Sequence, residues 1–391
     1  MSDHGMKPWK LPFTREEYAT RLRKVRDELG RAKLDALLCH SVSNICYLTG
    51  LQSVMGPEKY FMLVIPKQDE PFLLGQAFEM HNARLGCAVA DLTGFEIYAD
   101  PVEESRKLLV GRELDNKRLG LEFRSRGLTP HYYEGLRGAL QRAEIVDASE
   151  LVNNVRAVKS PAEIEMMRQA GALTSGAMRR ALDEASPGKT DNDIAAAAIE
   201  YCVRQGGEFH CLEPIVSLGN RSGVPHCTFG RNTIHARDIC FIEIGACFNR
   251  YSAALIRTVS FGEPEPFQRR VCDEIKASLE VVLEKLRPGI PVCEVAQQAR
   301  KAWDWTFAHP QLFWNGAYGY SIGLGFPSNW GDANLSIREH HSAILEPGMV
   351  FHCTNNIRKA GVFGVGISET VAITESGCSL LTDCPRHLFV K

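Results

Sequence analysis

Apolar residues recur along this chain at two spacings, and the changes between them predict its order of helices and strands. The first helical pattern follows Thr14 and Glu17, which have the spacing of a capped helix N-terminus. Its apolar positions are Tyr18, Leu22, Val25 and Leu29. Short apolar runs then alternate with further helical patterns, at residues 36–39, 61–65, 72–74, 118–123 and 144–146. This alternation predicts an α/β domain over residues 1–155.

A second domain is predicted over residues 156–391, because Ser160 and Glu163 form a capping box that starts a new helix. This part contains an internal repeat, since residues 187–195 resemble residues 288–296. Each copy has a helix that ends at Pro-Gly, a turn, a second helix and then apolar strands. The alternative is that Pro-Gly merely ends two unrelated helices. The fold class that follows is α/β (α+β), with an internal pseudo-twofold repeat in the second domain.

Two glutamates interrupt apolar strands of the second domain. Glu243 lies in the run 239–247 and Glu369 in the run 364–373, one in each copy of the repeat. Taking an ionised group out of water is costly, so such a carboxylate is paired, protonated, metal-bound or catalytic. The repeat predicts that the two acidic strands are equivalent and meet at the centre of the sheet. The structural alternative pairs Glu243 with Arg257 in the neighbouring apolar strand.

The composition is that of a globular protein with a small ligand. Of 391 residues, 45% are hydrophobic and 24% are charged, and the formal net charge is -2. Neither a nucleic-acid surface nor a membrane-surface patch is expected at that charge, and no stretch reaches the roughly 18 apolar residues of a membrane span. The 13 cysteines include no C-x-x-C pair, and the N-terminus lacks an apolar signal segment. A cytoplasmic protein with reduced thiols is expected.

Further candidate site residues lie in loops. His226 follows Pro225 at the entry to a strand, where a histidine can act as an acid or base at a cavity wall. The alternative is a structural histidine. A glycine-rich stretch downstream carries aromatic residues that would line a pocket for a compact, partly cationic ligand, or would simply pack together. These residues are Trp314, Tyr318, Tyr320, Phe326 and Trp330.

Several stretches of the second domain resemble the creatinase/prolidase/methionine aminopeptidase family, which has the pita-bread fold. They are residues 241–251, 255–258, 319–323, 346–351 and 366–371. The first domain matches the family only in general pattern, as at residues 44–50. The resemblance implies a creatinase-like N-terminal domain, a C-terminal pita-bread catalytic domain and a homodimer. In such a dimer, residues of one N-terminal domain would help set specificity at the partner's site; the candidates are Met55, Lys59 and Tyr60.

The peptidases of this family bind two metal ions through two aspartates, a histidine and two glutamates. The corresponding positions here are Glu243, Ala254, Tyr320, Thr354 and Ser368. Only one carboxylate remains among them, whereas hard-cation and zinc sites need several converging donors. The resemblance therefore implies a metal-free branch of the family, with no metal and no cofactor.

Within the family, the resemblance is strongest to the ectoine hydrolases and next to the creatinases. It implies a hydrolase that cleaves a non-peptide C–N bond in a small amidine-like or zwitterionic metabolite. Glu243 would be the nucleophile or general base, His226 would protonate the departing nitrogen, and Glu369 would hold the substrate cation or polarise water. The substrate-binding residues would be Tyr320, Trp330 and Thr354. Alternatives are a creatinase-like amidinohydrolase, a lyase acting on a zwitterionic osmolyte, an Xaa-Pro peptidase and a catalytically silent pita-bread binding module.

Overall fold

The structure, a computed structural model, describes residues 9–391. The chain forms two compact units, of which the first ends at Arg156 and the second runs from Ala157 to Lys391. The division lies one residue beyond the boundary expected ahead of the capping box at Ser160. None of the helices within residues 9–391 combines the length and the hydropathy of a membrane span.

Unit 1 combines helices with a mixed sheet. The helices are α1 (Arg15–Arg31), α2 (Val42–Thr49), α3 (Met80–Gly86), α4 (Pro101–Gly111), α5 (Pro130–Ala139) and α6 (Leu151–Ala157). The strands are β1 (Ala36–Cys39), β2 (Phe61–Pro66), β3 (Phe72–Gln76), β4 (Asp91–Phe95), β5 (Arg118–Leu121) and β6 (Glu144–Asp147). They form a sheet in the order β4-β3-β2-β1-β5-β6, in which β1 is antiparallel to β2 and parallel to β5. The predicted α/β class is confirmed.

One predicted strand is too long. β5 ends at Leu121, two residues before its predicted end at Phe123. Glu122 accepts hydrogen bonds from the backbone amides of His40 (2.8 Å) and Ser41 (2.7 Å), so its carboxylate serves the start of α2. Strand β5 therefore ends at Leu121, directly before Glu122, whose side chain bonds to the N-terminal end of α2.

Unit 2 holds the longer helices and a larger sheet. The helices are α7 (Pro161–Glu184), α8 (Asp191–Arg204), α9 (Pro266–Lys285), α10 (Val292–Lys301) and α11 (Asp304–Phe307). The strands are β7 (Ile215–Leu218), β8 (Ile239–Phe248), β9 (Tyr251–Ser260), β10 (Leu312–Phe313), β11 (Gly319–Phe326), β12 (Asn329–Ile337), β13 (Val350–Lys359), β14 (Phe363–Ile373), β15 (Cys378–Leu380) and β16 (Phe389–Val390). The main sheet has the order β15-β14-β13-β11-β9-β8-β7.

The two copies of the predicted repeat share their element order. Helices α7 and α8 precede the hairpin β8–β9, and helices α9 and α10 precede the hairpin β13–β14. The Pro-Gly turns match as well, with φ of 85° at Gly188 and 83° at Gly289, a conformation that glycine adopts without a Cβ clash. Glu243 lies in the first strand of its hairpin, but Glu369 lies in the second strand of its own. The predicted equivalence of the two acidic strands is therefore wrong.

Alternation along the strands decides which residues face the helices. Ile242 and Ile244 of β8 lie in one apolar core with residues of α7 and α8, and Cys353 of β13 lies in another with residues of α9 and α10. Neighbouring residues of a strand point to opposite faces. Glu243 and Thr354 therefore point to the other face of the sheet, where the candidate site lies.

Candidate active site

A cavity of about 320 Å³ lies on the face of the unit 2 sheet that carries Glu243 and Thr354. Its volume is at the lower end of the range for small-molecule sites, about 300–1,000 Å³. The strands contribute Glu243, Ile256, Tyr320, Thr354, Asn356 and Arg358, and the segments outside the main sheet contribute His226 and Trp314. The structure thus brings together four predicted site residues, which are His226, Glu243, Tyr320 and Thr354.

Glu243 is the carboxylate of this cavity. Its backbone pairs with Ile215 on one side and Ile256 on the other, and these residues pack with Phe241 in a small apolar cluster. Burial raises the pKa of the Glu243 carboxyl to about 7, although the nearby guanidinium of Arg358 opposes the rise. Near neutral pH the group therefore exists in both protonation states, which suits a base or a nucleophile.

Arg358 is a cavity residue that the sequence reasoning missed. Its guanidinium lies 4.2 Å from the ring centroid of Phe241, and its Nη1 donates to the carbonyl oxygens of Ser222 and Val224. Its side chain thus ties the segment before His226 to the sheet. The available signal was its position, four residues after Thr354 on the same face of a mostly buried strand.

His226 lies in the loop at the edge of the cavity. It has a φ of 56°, an uncommon conformation for a residue with a side chain. The loop is tied down on its far side, where Arg221 donates to the carbonyl of Thr228 (2.8 Å) and the Thr228 hydroxyl donates to the carbonyl of Pro214 (2.6 Å). The residue is exposed and lines the cavity, so its side chain is accessible to a ligand.

Tyr320 is held by a line of buried polar groups. Trp330 donates its indole N–H to the Tyr320 hydroxyl at 2.7 Å, and that hydroxyl lies 2.9 Å from Nδ1 of His352. Nε2 of His352 lies 2.7 Å from the Ser368 hydroxyl, which accepts the backbone N–H of Ile256 at 2.6 Å. Trp330 therefore supports Tyr320 and is not itself one of the residues that line the cavity.

Thr354 presents a hydroxyl to the cavity. The residue is 3% exposed, and its Oγ1 has no hydrogen-bond partner among the residues that the structure describes. A buried hydroxyl without a partner costs about 1–3 kcal/mol, so a ligand that bonds to it recovers this free energy. The Thr354 hydroxyl is thus available to a ligand in the cavity.

Glu369 is not brought to the cavity. One carboxylate oxygen accepts from Arg257 at 2.6 Å and the other from the Thr382 hydroxyl at 2.5 Å. Register places Glu369 opposite Cys353, which belongs to the core under the helices, and places Ser368 opposite Thr354. The expectation that Glu369 holds the substrate therefore does not match the geometry.

The alternative pairing of Glu243 with Arg257 is also wrong, because Arg257 bonds to Glu369.

The three predicted specificity residues lie in unit 1. Tyr60 is 4% exposed, and its hydroxyl is 2.8 Å from Ser105 within the core of that unit. Its ring is therefore not accessible to a ligand, which corrects the expectation that it contacts substrate. Met55 is exposed at 45% and Lys59 is partly exposed, so both side chains are at the surface of the unit.

A helix-flanked sheet that carries one carboxylate, one guanidinium and one histidine at a small cavity defines a candidate hydrolase site. The chain belongs to Metallopeptidase family M24, whose family model matches residues 165–375, and the Creatinase/Prolidase N-terminal domain matches residues 21–158. The first match covers unit 2 almost entirely and the second covers most of unit 1.

The chain is similar to relatives of two kinds. It is 32% identical over 403 residues to the ectoine hydrolase of Halomonas elongata, covering 97% of this chain and 99% of the relative. It is 24% identical to the Xaa-Pro dipeptidase of Pyrococcus horikoshii, covering 94% and 98%. Among solved structures, the prolidase from Thermococcus sibiricus matches with a TM-score of 0.86 and 20% identity, covering 96% of this chain and 99% of that chain. This last likeness confirms the pita-bread fold.

The residues present do not fit a pair of metal ions. Within residues 9–391, no group of three or more histidine, cysteine, aspartate or glutamate side chains is arranged to hold a metal ion. Of the five positions that the resemblance assigns to the family's metal ligands, Glu243, Tyr320 and Thr354 reach the cavity, and they supply a single carboxylate. The cation of Arg358 lies beside that carboxylate, where a metal ion would be repelled.

Proposed function

We propose that this protein is a metal-independent hydrolase that cleaves a non-peptide C–N bond in a small amidine-like or zwitterionic metabolite. The observation that carries the proposal is the cavity with one carboxylate, Glu243, next to one guanidinium, Arg358. The family resemblance implies a set of metal-binding donors at this place in the peptidases. The similarity to an ectoine hydrolase makes ectoine, a cyclic amidine with a carboxylate, the first candidate substrate.

The charges of the cavity suit a zwitterion. Glu243 offers a negative charge to an amidinium, and Arg358 offers a positive charge to a carboxylate. Trp314 lines the same cavity, and an aromatic face attracts a delocalised cation. A purely anionic ligand would offer no counterpart to Glu243, and a neutral ligand would offer none to either charged group.

The chemistry follows from these positions. Ionised Glu243 removes a proton from a water that attacks the amidine carbon, or attacks that carbon itself to form an ester-like adduct that water then releases. In either case a C–O bond forms and one C–N bond breaks, and the departing nitrogen takes up a proton from His226 at the cavity edge. Amidine plus water yields an amide and an amine, so no oxidant or cofactor is required.

In this proposal the enzyme is cytoplasmic, which its cysteines favour, because reduced thiols are typical of that compartment. It is a homodimer that acts on a small molecule and binds neither nucleic acid nor membrane.

The peptidase relatives suggest a competing activity, the hydrolysis of Xaa-Pro dipeptides. Hydrolysis of an Xaa-Pro dipeptide would need the donor set that positions 254, 320, 354 and 368 no longer contain.

The test is turnover of ectoine, 5-hydroxyectoine, creatine and an Xaa-Pro dipeptide by chelator-treated enzyme, with products identified by mass. Ring-opened product from ectoine is expected, and Glu243→Gln should reduce kcat by at least about 10²-fold because the base or nucleophile is lost. Glu294→Gln, on the exposed face of α10, is the matched control and should behave as wild type. Full activity of Glu243→Gln, or dipeptide hydrolysis restored by manganese, would contradict the proposal.

A further inference from the structure

The line of polar groups behind Tyr320 has a fixed number of protons. Its two ends, the indole of Trp330 and the backbone amide of Ile256, can only donate. Between them lie the Tyr320 hydroxyl, the His352 imidazole and the Ser368 hydroxyl, joined by two contacts of 2.9 Å and 2.7 Å. Neutral histidine carries one proton, so these three groups hold three protons for two contacts. One of the three protons therefore lies in neither contact and points away from the line.

The extra proton belongs either to Ser368 or to Tyr320. If Tyr320 donates to His352 and His352 donates to Ser368, the Ser368 proton is left over. Ser368 is 0% exposed, and its hydroxyl has no further acceptor among the residues that the structure describes. That arrangement buries an unpaired hydroxyl proton, which costs about 1–3 kcal/mol. In the reverse arrangement every buried proton is paired, and the Tyr320 proton points into the cavity.

The count of three protons holds at neutral pH, because His352 does not gain a second proton and Tyr320 does not lose its own. Burial, together with the charge of Arg257, lowers the pKa of His352 to about 3, so the ring stays neutral. Burial also raises the pKa of the Tyr320 hydroxyl above its ordinary value, and Glu243 raises it further, so the phenol stays protonated. The neutral ring must then carry its proton on Nδ1, which donates to Tyr320.

We propose that Tyr320 is a catalytic residue that donates a hydrogen bond to the reacting oxygen, and that His352, protonated on Nδ1, is the positioning residue that keeps it a donor. Trp330 donates to the Tyr320 oxygen, and His352 in this tautomer donates to it as well, so both lone pairs of that oxygen are occupied. The hydroxyl therefore binds an acceptor and does not bind the N–H groups of an amidinium.

This role rests on the proposed function for the identity of the acceptor. In amidine hydrolysis, the attacking water gives a proton to Glu243 and attacks with one lone pair, and its other lone pair accepts from Tyr320. As the C–N bond breaks, the second proton of this oxygen passes to the departing nitrogen, which leaves as an ammonium. The oxygen becomes the carbonyl oxygen of the product amide, which is again an acceptor. The Tyr320 hydroxyl, which only donates, can therefore hydrogen-bond to this oxygen from substrate binding to product release.

The tautomer of His352 tests the proposal without any substrate. Long-range proton–nitrogen NMR of the full-length protein with ¹⁵N-labelled histidine distinguishes a proton on Nδ1 from one on Nε2. The His352 signals are identified by their loss in His352→Asn. At pH 7 the proton is expected on Nδ1, with Nε2 bare. A proton on Nε2 would overturn the proposal, because Tyr320 would then have to donate to the ring.

Kinetics test the catalytic part. Tyr320→Phe keeps the ring and removes the donor, and should lower kcat about 10²-fold with KM within about 3-fold. His352→Asn, which keeps an N–H close to Nδ1, should retain more kcat than His352→Leu. Ser260→Ala is the matched control, since that buried hydroxyl of β9 bonds to the carbonyl of Gly262, away from this line.

The outcomes separate the two proposals. Wild-type kcat in Tyr320→Phe overturns the catalytic role of Tyr320 even where ectoine is a substrate. If no amidine is turned over by the wild type, the proposed function fails, whereas the NMR result still decides whether Tyr320 is a donor.

Discussion

Removing the charge of Glu243 should stabilise the protein, and the gain should grow with pH. The pKa of this carboxyl rises from 4.5 to about 7 on folding, and one pKa unit corresponds to about 1.4 kcal/mol. The folded state therefore binds the proton more tightly than the unfolded state, and stability falls as pH rises from 4.5 to 7. Between pH 5 and pH 8 the loss should be about 2.5 kcal/mol in the wild type, and Glu243→Gln should not suffer it.

Thermal unfolding at pH 5, 6, 7 and 8 measures this difference. For a unit of 150–250 residues, about 1 kcal/mol shifts Tm by about 2–4 °C, so the Tm advantage of Glu243→Gln should grow by about 5–10 °C over this pH range. Asp193→Asn is the control, because the backbone amide of Thr190 lowers the pKa of that carboxyl below 3.8. Asp193 is ionised in both states throughout this range, so its Tm offset should be constant. A constant offset for Glu243→Gln would refute the raised pKa.

Other perturbations have equally defined results. Arg358→Met should move the acidic limb of the kcat/KM profile to higher pH, because the guanidinium lowers the pKa of Glu243, while Arg358→Lys should leave the limb close to its wild-type position. Glu369→Gln should cost about 3–5 kcal/mol of stability by leaving Arg257 uncompensated, yet keep kcat within about 3-fold at 25 °C; loss of kcat in a stable variant would return Glu369 to the site. Dialysis against a chelator should leave turnover of the amidine substrate unchanged, and a loss restored by a divalent cation would contradict the metal-independent reaction.

Local patterns predicted the parts of the fold that depend on neighbouring residues. Thr14 and Ser160 accept hydrogen bonds from backbone amides three residues later and begin their helices where the sequence predicted. Strand β1 has the predicted bounds, Ala36 to Cys39. The two Pro-Gly turns after α7 and α9 were visible for the same reason, since each needs one glycine with positive φ. Each signal lies within a few residues of the structure that it specifies.

Side-chain direction was harder to predict where strands are buried on both faces. Every residue of β14 is buried, so the alternation that normally distinguishes the two faces is absent from its sequence. The resemblance to the family therefore placed Glu369 in the site, although register sends it to the opposite face from Ser368. Arg358 was missed for the complementary reason, because its role depends on Glu243, which lies on another strand more than a hundred residues away.

The sequence by itself determined the two-unit α/β architecture and the element order of the repeat in unit 2, because both depend on local spacing. Only the tertiary structure decided which charges meet. It paired Arg257 with Glu369 at 2.6 Å, left Glu243 beside Arg358, and joined Tyr320 to Ser368 through His352. The physical reason is that strand register and sheet order set these contacts, and neither is encoded near the residues that make them.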